Sequence, residues 1–409
     1  MTMEAWRRTL KHRRKSVMKI TEIRETAIPL NSNLRNAVFD FSQMTTSIVA
    51  VITDVIRDGK PVVGYAFNST GRYACGAQMR SRFIPRIMDS DPDSLIDEEQ
   101  NNLDPEAILA AMMQGEKPGG HSDRSVGIGT IEVAVWDAIA KIEEKPAYQS
   151  IADRYNPGLA KPDMFVYVGG GWYAPGKGIP ELLDEMHGYL DMGYTQLKMK
   201  VGGAPISEDI ERLEAVLKLV GDDGWNLAVD ANCGLTPDQA RAYARELAPY
   251  KLRWYEEPTD PLDYALMAEL AEIYEPPLAT GENLFSQQDM QNLVTFGGMR
   301  QNHDVLQIDP PQSYGVVAVA RTVEMLNSSG WAAGNSIMPH GGNQMSLHIA
   351  AGLGMLLCES YPNTFGMFSG FADDAEIIDG YLKLDPERPG IGFEAQADLY
   401  KVMSELSAD

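Results

Sequence analysis

The chain has 409 residues, 44% of them hydrophobic, and a formal net charge of −23. That length can bury a sizeable core and holds two domains, while the charge argues against nucleic acid and anionic membranes as partners. No apolar run approaches the ~20 residues that span a bilayer, and the three scattered cysteines, Cys75, Cys233 and Cys358, fit a reducing cytoplasm and form no metal or redox motif.

Residues 1–17 read as a basic, disordered tail. Arg7, Arg8, Lys11, Arg13, Arg14 and Lys15 stand there against Glu4 alone, with one serine and no cleavage signal. From residue 18 to about 160 the pattern is that of a small α+β domain. Strand-like runs KITEIRETAIPL, SIVAVITDVI and PVVGYAFNS come first, the last two joined by an Asp58-Gly59 hairpin turn. Helical periodicity follows from about Ala77 and is clearest in VGIGTIEVAVWDAIAKIEE. The polar loop from Asn31 to Thr46 is of the kind that carries specificity.

From 161 to 360 strands and helices alternate: MFVYVGGG, TQLKMKVGG, NLAVDANC, LRWYEEP, PLATGEN, VLQIDPP, NSIMPHGG and MLLCES are the strand runs. Such alternation implies parallel strands joined by right-handed crossovers, and eight of them suggest closure into a (β/α) barrel. Residues 361–409 are irregular, with a DGYLKL hairpin signal, and are expected to pack back on the first domain.

The LKMK run carries the first chemical signal. Side chains alternate along a strand, so Lys198 and Lys200 point the same way, and on a buried strand two ammonium groups need anionic partners. Those partners stand at the other strand ends. Lys200 ends the second run, Asp230 the third, Glu256 the fourth, Glu282 the fifth and Asp309 the sixth; His340 follows the seventh and Glu359 ends the eighth. Each of these strands delivers one ionisable group to the rim where barrel active sites are built. Asp230, Glu256 and Glu282 cannot stay ionised together without a cation, and all-oxygen ligation suits Mg²⁺. Asp309 beside His340 would orient the imidazole and raise its pKa. A Schiff-base aldolase built on Lys198 or Lys200 would leave the three carboxylates unexplained, and GWYAPGKG departs from a phosphate-binding loop by ending in Gly178.

Together, K-x-K, D-A-N, Y-E-E-P, T-G-E-N, the aspartate strand and P-H-G-G resemble the enolase superfamily in its mandelate racemase group, over essentially the whole chain from Met18. NAVFDFSQMTTS, FNSTGRY, EKPGGHSDRS and PHGGNQMSLHIAAGLG are most similar to the D-tartrate dehydratases of that group. The resemblance implies a modified (β/α)8 barrel, (β/α)7β, with an α+β capping domain. It also implies a cytoplasmic, homo-oligomeric, Mg²⁺-dependent lyase acting on a small hydroxy acid. It makes Asp230, Glu256 and Glu282 the metal ligands and Glu257 a neighbour that does not ligate. Lys200 becomes the base that takes the proton α to the substrate carboxylate, and Lys198 the neighbour that disfavours its protonation and contacts that carboxylate. His340 with Asp309 becomes the acid-base pair on the other face, Glu359 a hydrogen-bond donor to the substrate, and Lys117 a contact for its distal carboxylate. A Lys or His base with Mg²⁺ is the general pattern of such sites. Dehydration of a longer acid sugar, or racemisation, is the alternative outcome on the same residues.

Overall fold

The computed structural model describes residues 18–408, so the basic segment 1–17 lies outside the described residues. The first sheet is an antiparallel meander of β1 (Ile20–Pro29), β2 (Thr45–Arg57) and β3 (Lys60–Phe67). Its tight turn has Asp58 at φ 50° and Gly59 at φ 77°, the backbone that a two-residue hairpin needs. Helix α1 (Pro105–Met113) follows, then the long helix α2 (Asp123–Ile142), which is buried along most of its length. Opposite faces of β3 meet different helices, as strand alternation requires. A Cβ on Gly64 would collide with the α2 backbone at Ala134. On the other side the Tyr65 hydroxyl lies 2.6 Å from Ser407 Oγ in the C-terminal helix α11 (Ala397–Ser407). The free edge of β3 is partly satisfied by α2, because the Tyr65 N–H donates to Asp137 at 2.8 Å.

Among the described residues, eight parallel strands alternate with seven longer helices to form the barrel. The strands are β4 (Asp163–Gly170), β5 (Leu197–Lys200), β6 (Leu227–Asp230), β7 (Tyr255–Glu256), β8 (Leu278–Thr280), β9 (Val305–Ile308), β10 (Ile337–Pro339) and β11 (Cys358–Ser360). Helix α3 (Ala147–Tyr155) precedes them. The crossovers are α4 (Ile179–Asp191), α5 (Ile206–Leu219), α6 (Pro237–Leu247), α7 (Tyr264–Ile273), α8 (Gln287–Phe296), α9 (Val316–Ser328) and α10 (Gln344–Leu353). β4 pairs with both β5 and β11, and a 2.8 Å bond from Leu356 N to Ile337 O ties the last strand to β10. The order is therefore (β/α)7β. A short hairpin, β12 (Ile377–Ile378) and β13 (Tyr381–Lys383), adds antiparallel to the lower half of β4.

The barrel floor is apolar. Tyr167 and Trp254 meet edge to face at 5.1 Å, and Ala228, Ala279, Val305, Met338 and Leu357 fill the space around them. Small residues opposite large ones close a tapering barrel without a void.

Two contacts lock the capping helices to the barrel. Glu132 on α2 accepts from Val316 N at 2.6 Å and Val317 N at 3.0 Å, so it caps α9, whose own cap residue, Gly315, has no side chain. The approach is close: a Cβ on Gly315 would overlap Glu132, and one on Gly129 would overlap Pro311 O. Further along, Gly352 of α10 lets Ile151 of α3 approach, and the Tyr148 N–H donates to His348 Nδ1 at 3.3 Å.

Burial, and after it the charge of Arg388, lower the His348 pKa from 6.5 to about 3. The fold therefore holds His348 neutral, and unfolding takes up a proton below pH 6.5. This contribution is fully present above pH 6.5 and is lost as pH falls from there toward 3. Urea unfolding at pH 7 and pH 5 should show the wild type losing about 2 kcal/mol more than His348→Gln over that interval. Parallel losses in the two proteins would remove His348 as the cause.

Candidate active site

Register assembles the site. In β5, Leu197 and Met199 face the helices while Lys198 and Lys200 face the barrel axis, and all four are buried. Parallel pairing sets Lys200 beside Asp230, and Asp230 beside Glu256. Glu282, Asp309 and His340 stand just past the ends of β8, β9 and β10, and Glu359 lies within β11. β8 and β9 thus end slightly earlier than the sequence suggests, His340 follows β10, and turns present these three side chains.

Asp230, Glu256 and Glu282 each offer a carboxylate oxygen, all within 4.8 Å of one another. Burial and the neighbouring Asp230 push the Glu256 carboxyl above its usual range against the pull of Lys198. Glu282 is also pushed up by burial, against the pull of His340. For Asp230 burial is outweighed by Lys200 and Lys198, which hold it well below the usual carboxylate range. Crowded, buried, oxygen-only donors fit a hard divalent cation of the Mg²⁺ type.

The two lysines divide the anionic load. Lys198 Nζ lies 2.6 Å from Glu256, 2.5 Å from Glu359 and 3.5 Å from Asp230. Burial disfavours its charge, but Glu256 and Glu359 raise its pKa well above the usual lysine value, so it is a fixed cation. Lys200 Nζ lies 2.5 Å from Asp230 and 4.2 Å from the centre of the Trp172 ring. Burial pushes Glu359 up, but Lys198 and then His340 outweigh it and keep the carboxyl ionised. An ionised carboxylate accepts hydrogen bonds and cannot donate one. As placed, Glu359 holds Lys198.

Across the mouth, His340 Nδ1 lies 2.8 Å from Asp309 Oδ2. Nε2 lies 3.4 Å from Glu282 Oε2 and 3.4 Å from the Tyr361 hydroxyl. Burial opposes the charged imidazole, but Glu282, then the Asp309 bond and charge, raise its pKa to about 10. His340 therefore holds a proton to give at neutral pH.

Lys200, Glu282 and His340 share a cavity of about 30 Å³ with residues the sequence did not single out. Arg72, from the loop after β3, donates to Asn283 Oδ1 and lies 4.9 Å from the Phe285 ring centre. Asn283 in turn donates to Glu257 at 2.5 Å. The loop between β1 and β2, expected to carry specificity, supplies Asn36, Phe39 and Phe41 to the wall. Lys117 is not brought to the site. It is exposed and outside the cavity lining, and its carbonyl accepts from Arg124. From the capping domain, Arg72 is the cation that lines the cavity.

Two tight turns border the site, one after Asp230 and one after Asp309. Asn232 and Cys233 both have positive φ, at 45° and 56°, and Cys233 N donates to Glu257 O at 2.9 Å. After Asp309, Gly315 N returns to Pro310 O at 3.0 Å, so the diproline opens a compact turn. In the phosphate-loop-like stretch, Lys177 is committed to Trp172 O at 2.9 Å and Glu185 at 2.5 Å.

The sequence profile of the enolase C-terminal domain-like family matches residues 181–399. An arabinonate dehydratase of Saccharolobus solfataricus is 30% identical over 283 residues, covering 67% of this chain and 71% of that protein. An L-talarate/galactarate dehydratase of Salmonella typhimurium is 26% identical over 357 residues, covering 85% and 81%. Among solved structures, a racemase from Streptomyces coelicolor with bound magnesium superposes with a TM-score of 0.73 at 22% identity, covering 93% of this chain and 99% of that one.

Removing one carboxylate of the cluster should be read by metal binding itself. Calorimetric titration of Glu282→Gln with Mg²⁺ is expected to show affinity reduced by at least about 100-fold, the upper end of losses for residues that merely support ligands. Glu257→Gln should stay within a few-fold of wild type. Equal effects of the two substitutions would contradict the ligand assignment.

Proposed function

The chain belongs to the enolase superfamily, in its mandelate racemase branch, and we propose that within it the protein is a Mg²⁺-dependent dehydratase of a small dicarboxylic hydroxy acid, D-tartrate above others. Dehydratases of acid sugars and racemases are its relatives, so proton abstraction α to a carboxylate is common ground. The observation that carries the reading is that Lys200, His340 and Arg72 line one small cavity.

A bound divalent cation would be held by Asp230, Glu256 and Glu282 and would stabilise the negative charge that develops on the substrate carboxylate. Lys198, a fixed cation between Glu256 and Glu359, orients that carboxylate from the other side. Lys200 takes the α-proton, and the C–H electrons form the enolate. His340 gives its Nε2 proton to the β-hydroxyl, the C–O bond breaks and water leaves. Asp309 on Nδ1 stabilises the imidazole through both states. The resulting enol gains a proton at carbon and loses one from oxygen to become a 2-keto acid; for tartrate this is oxaloacetate. Arg72 faces the end of the substrate remote from Lys198, where a second carboxylate would sit.

The relatives favour the longer acid sugars, and that is the second reading. Racemisation remains open to the same pair of bases if water is not lost.

Hydroxy acids incubated with Mg²⁺, with keto-acid formation and α-proton exchange followed in D₂O, test the reading. D-tartrate should be turned over, EDTA should abolish turnover, and Lys200→Ala should lose both exchange and product. Turnover of D-tartrate that EDTA leaves untouched would sink the mechanism; turnover of a longer aldonate alone would keep the mechanism and discard the substrate.

Arg72→Ala should raise KM for diacids by about 10- to 100-fold, the loss of a charged hydrogen bond worth roughly 1.5–3 kcal/mol. Hydroxy monoacids should be little affected, and an equal loss for both classes would remove Arg72 from carboxylate recognition.

A further inference from the structure

Asp309 receives three hydrogen bonds, and one comes from the other domain. Its Oδ2 accepts from Ser69 Oγ at 2.9 Å as well as meeting His340 Nδ1 at 2.8 Å, and its Oδ1 accepts from Gln312 N at 3.2 Å. Ser69 is fully buried and sits at φ 59° in the loop that leaves β3. A non-glycine residue in the left-handed region is strained, and such positions persist where the surroundings hold them.

The direction of the serine proton is fixed by its neighbours. Asn343 caps α10, its Oδ1 accepting from Ser346 N at 3.1 Å, so its amide nitrogen must face the other way. That nitrogen donates to Ser69 Oγ at 3.4 Å. With its oxygen already accepting, Ser69 points its own proton at Asp309. The next residue is pinned as well, since Thr70 O accepts from Gln312 Nε2 at 3.0 Å. Space has been left for this contact: a Cβ on Gly341 would lie 2.6 Å from Ser69 Oγ.

We propose that Ser69 is a positioning residue for the Asp309–His340 pair, a capping-domain hydroxyl that fixes the aspartate carboxylate so that the imidazole presents Nε2 to the leaving group. This rests on the dehydratase reading for its consequence, though not for the contact itself. The loop from Asn68 to Arg72 then has two tasks. Arg72 reads the remote end of the substrate, and Ser69 three residues earlier sets the acid.

Ser69→Ala and Ser69→Gly in the Mg²⁺-loaded enzyme test this. The glycine variant relieves the positive φ, so the pair separates loss of the hydroxyl from backbone strain. Both are expected to lower kcat for dehydration by about ten- to a hundredfold, less than the whole 10²–10⁴ that general acid–base catalysis supplies. KM should stay within about threefold, and α-proton exchange by Lys200 in D₂O within about twofold of wild type. Dehydration preserved in either variant, or exchange falling in step with it, would overturn the proposal. A stability cycle with Ser69→Ala, Asp309→Ala and the double variant gives a readout free of turnover. Ser69→Ala should lower the urea midpoint in the wild type and leave it nearly unchanged once Asp309 is gone; equal shifts in the two backgrounds would refute the contact. A wild type that turned over no hydroxy acid would defeat the dehydratase reading while this cycle still decided the coupling.

Discussion

Charge balance in a dry barrel mouth is the constraint to which the rest of the molecule answers. Asp230, Glu256, Glu257, Glu282, Asp309 and Glu359 are all buried at one end of one barrel, and Lys198, Lys200 and His340 are the basic side chains among them. In water such a cluster would cost little, but inside a protein each unpaired charge costs several kcal/mol. The arrangement shares the burden unevenly. Asp230 and Glu359 are kept ionised by lysines, whereas Glu257 is pushed well above its usual range by burial and by Glu282. What remains is a surplus of negative charge at the three oxygens that could grip a cation. The same surplus keeps His340 protonated. Metal affinity and the retention of the His340 proton thus both follow from one imbalance.

The barrel supplies this chemistry from strand ends, and the capping domain supplies its limits. Phe39, Phe41 and Arg72 line the cavity, and Ser69 reaches through to Asp309. None of these residues is near its partner in sequence. Their placement depends on the close approach of α2 to the turn after β9, which Gly129 and Gly315 permit.

How much of this was legible in the sequence follows from the range of the interactions. The strand-end residues could be read because parallel strands repeat a local pattern, and K-x-K states its own geometry through alternation. The pairing of Lys200, Asp230 and Glu256 follows from that pattern once the strands are in register. Ser69 and Arg72 could not be read in the same way. They lie in a loop whose target is more than two hundred residues away, as the Ser69–Asp309 and Arg72–Asn283 bonds show. FNSTGRY attracted notice as a motif without disclosing which of its residues would point inward. Lys117 illustrates the converse error: its loop is positioned by Arg124 on Tyr314, and the lysine itself is left at the surface. Glu359 sits where expected, but its proton depends on Lys198, and a protonation state cannot be read from spacing.

The cap that Glu132 gives to α9 has a consequence for the molecule as an object. The boundary near residue 160 separates two regions of sequence, yet a barrel cut there would leave Val316 and Val317 without their acceptor, and a capping domain cut there would leave Glu132 with only its bond from Trp136 Nε1. Each part completes the other's hydrogen bonding. The division that the chain displays in its rhythm of strands and helices is thus crossed by buried hydrogen bonds in the folded protein.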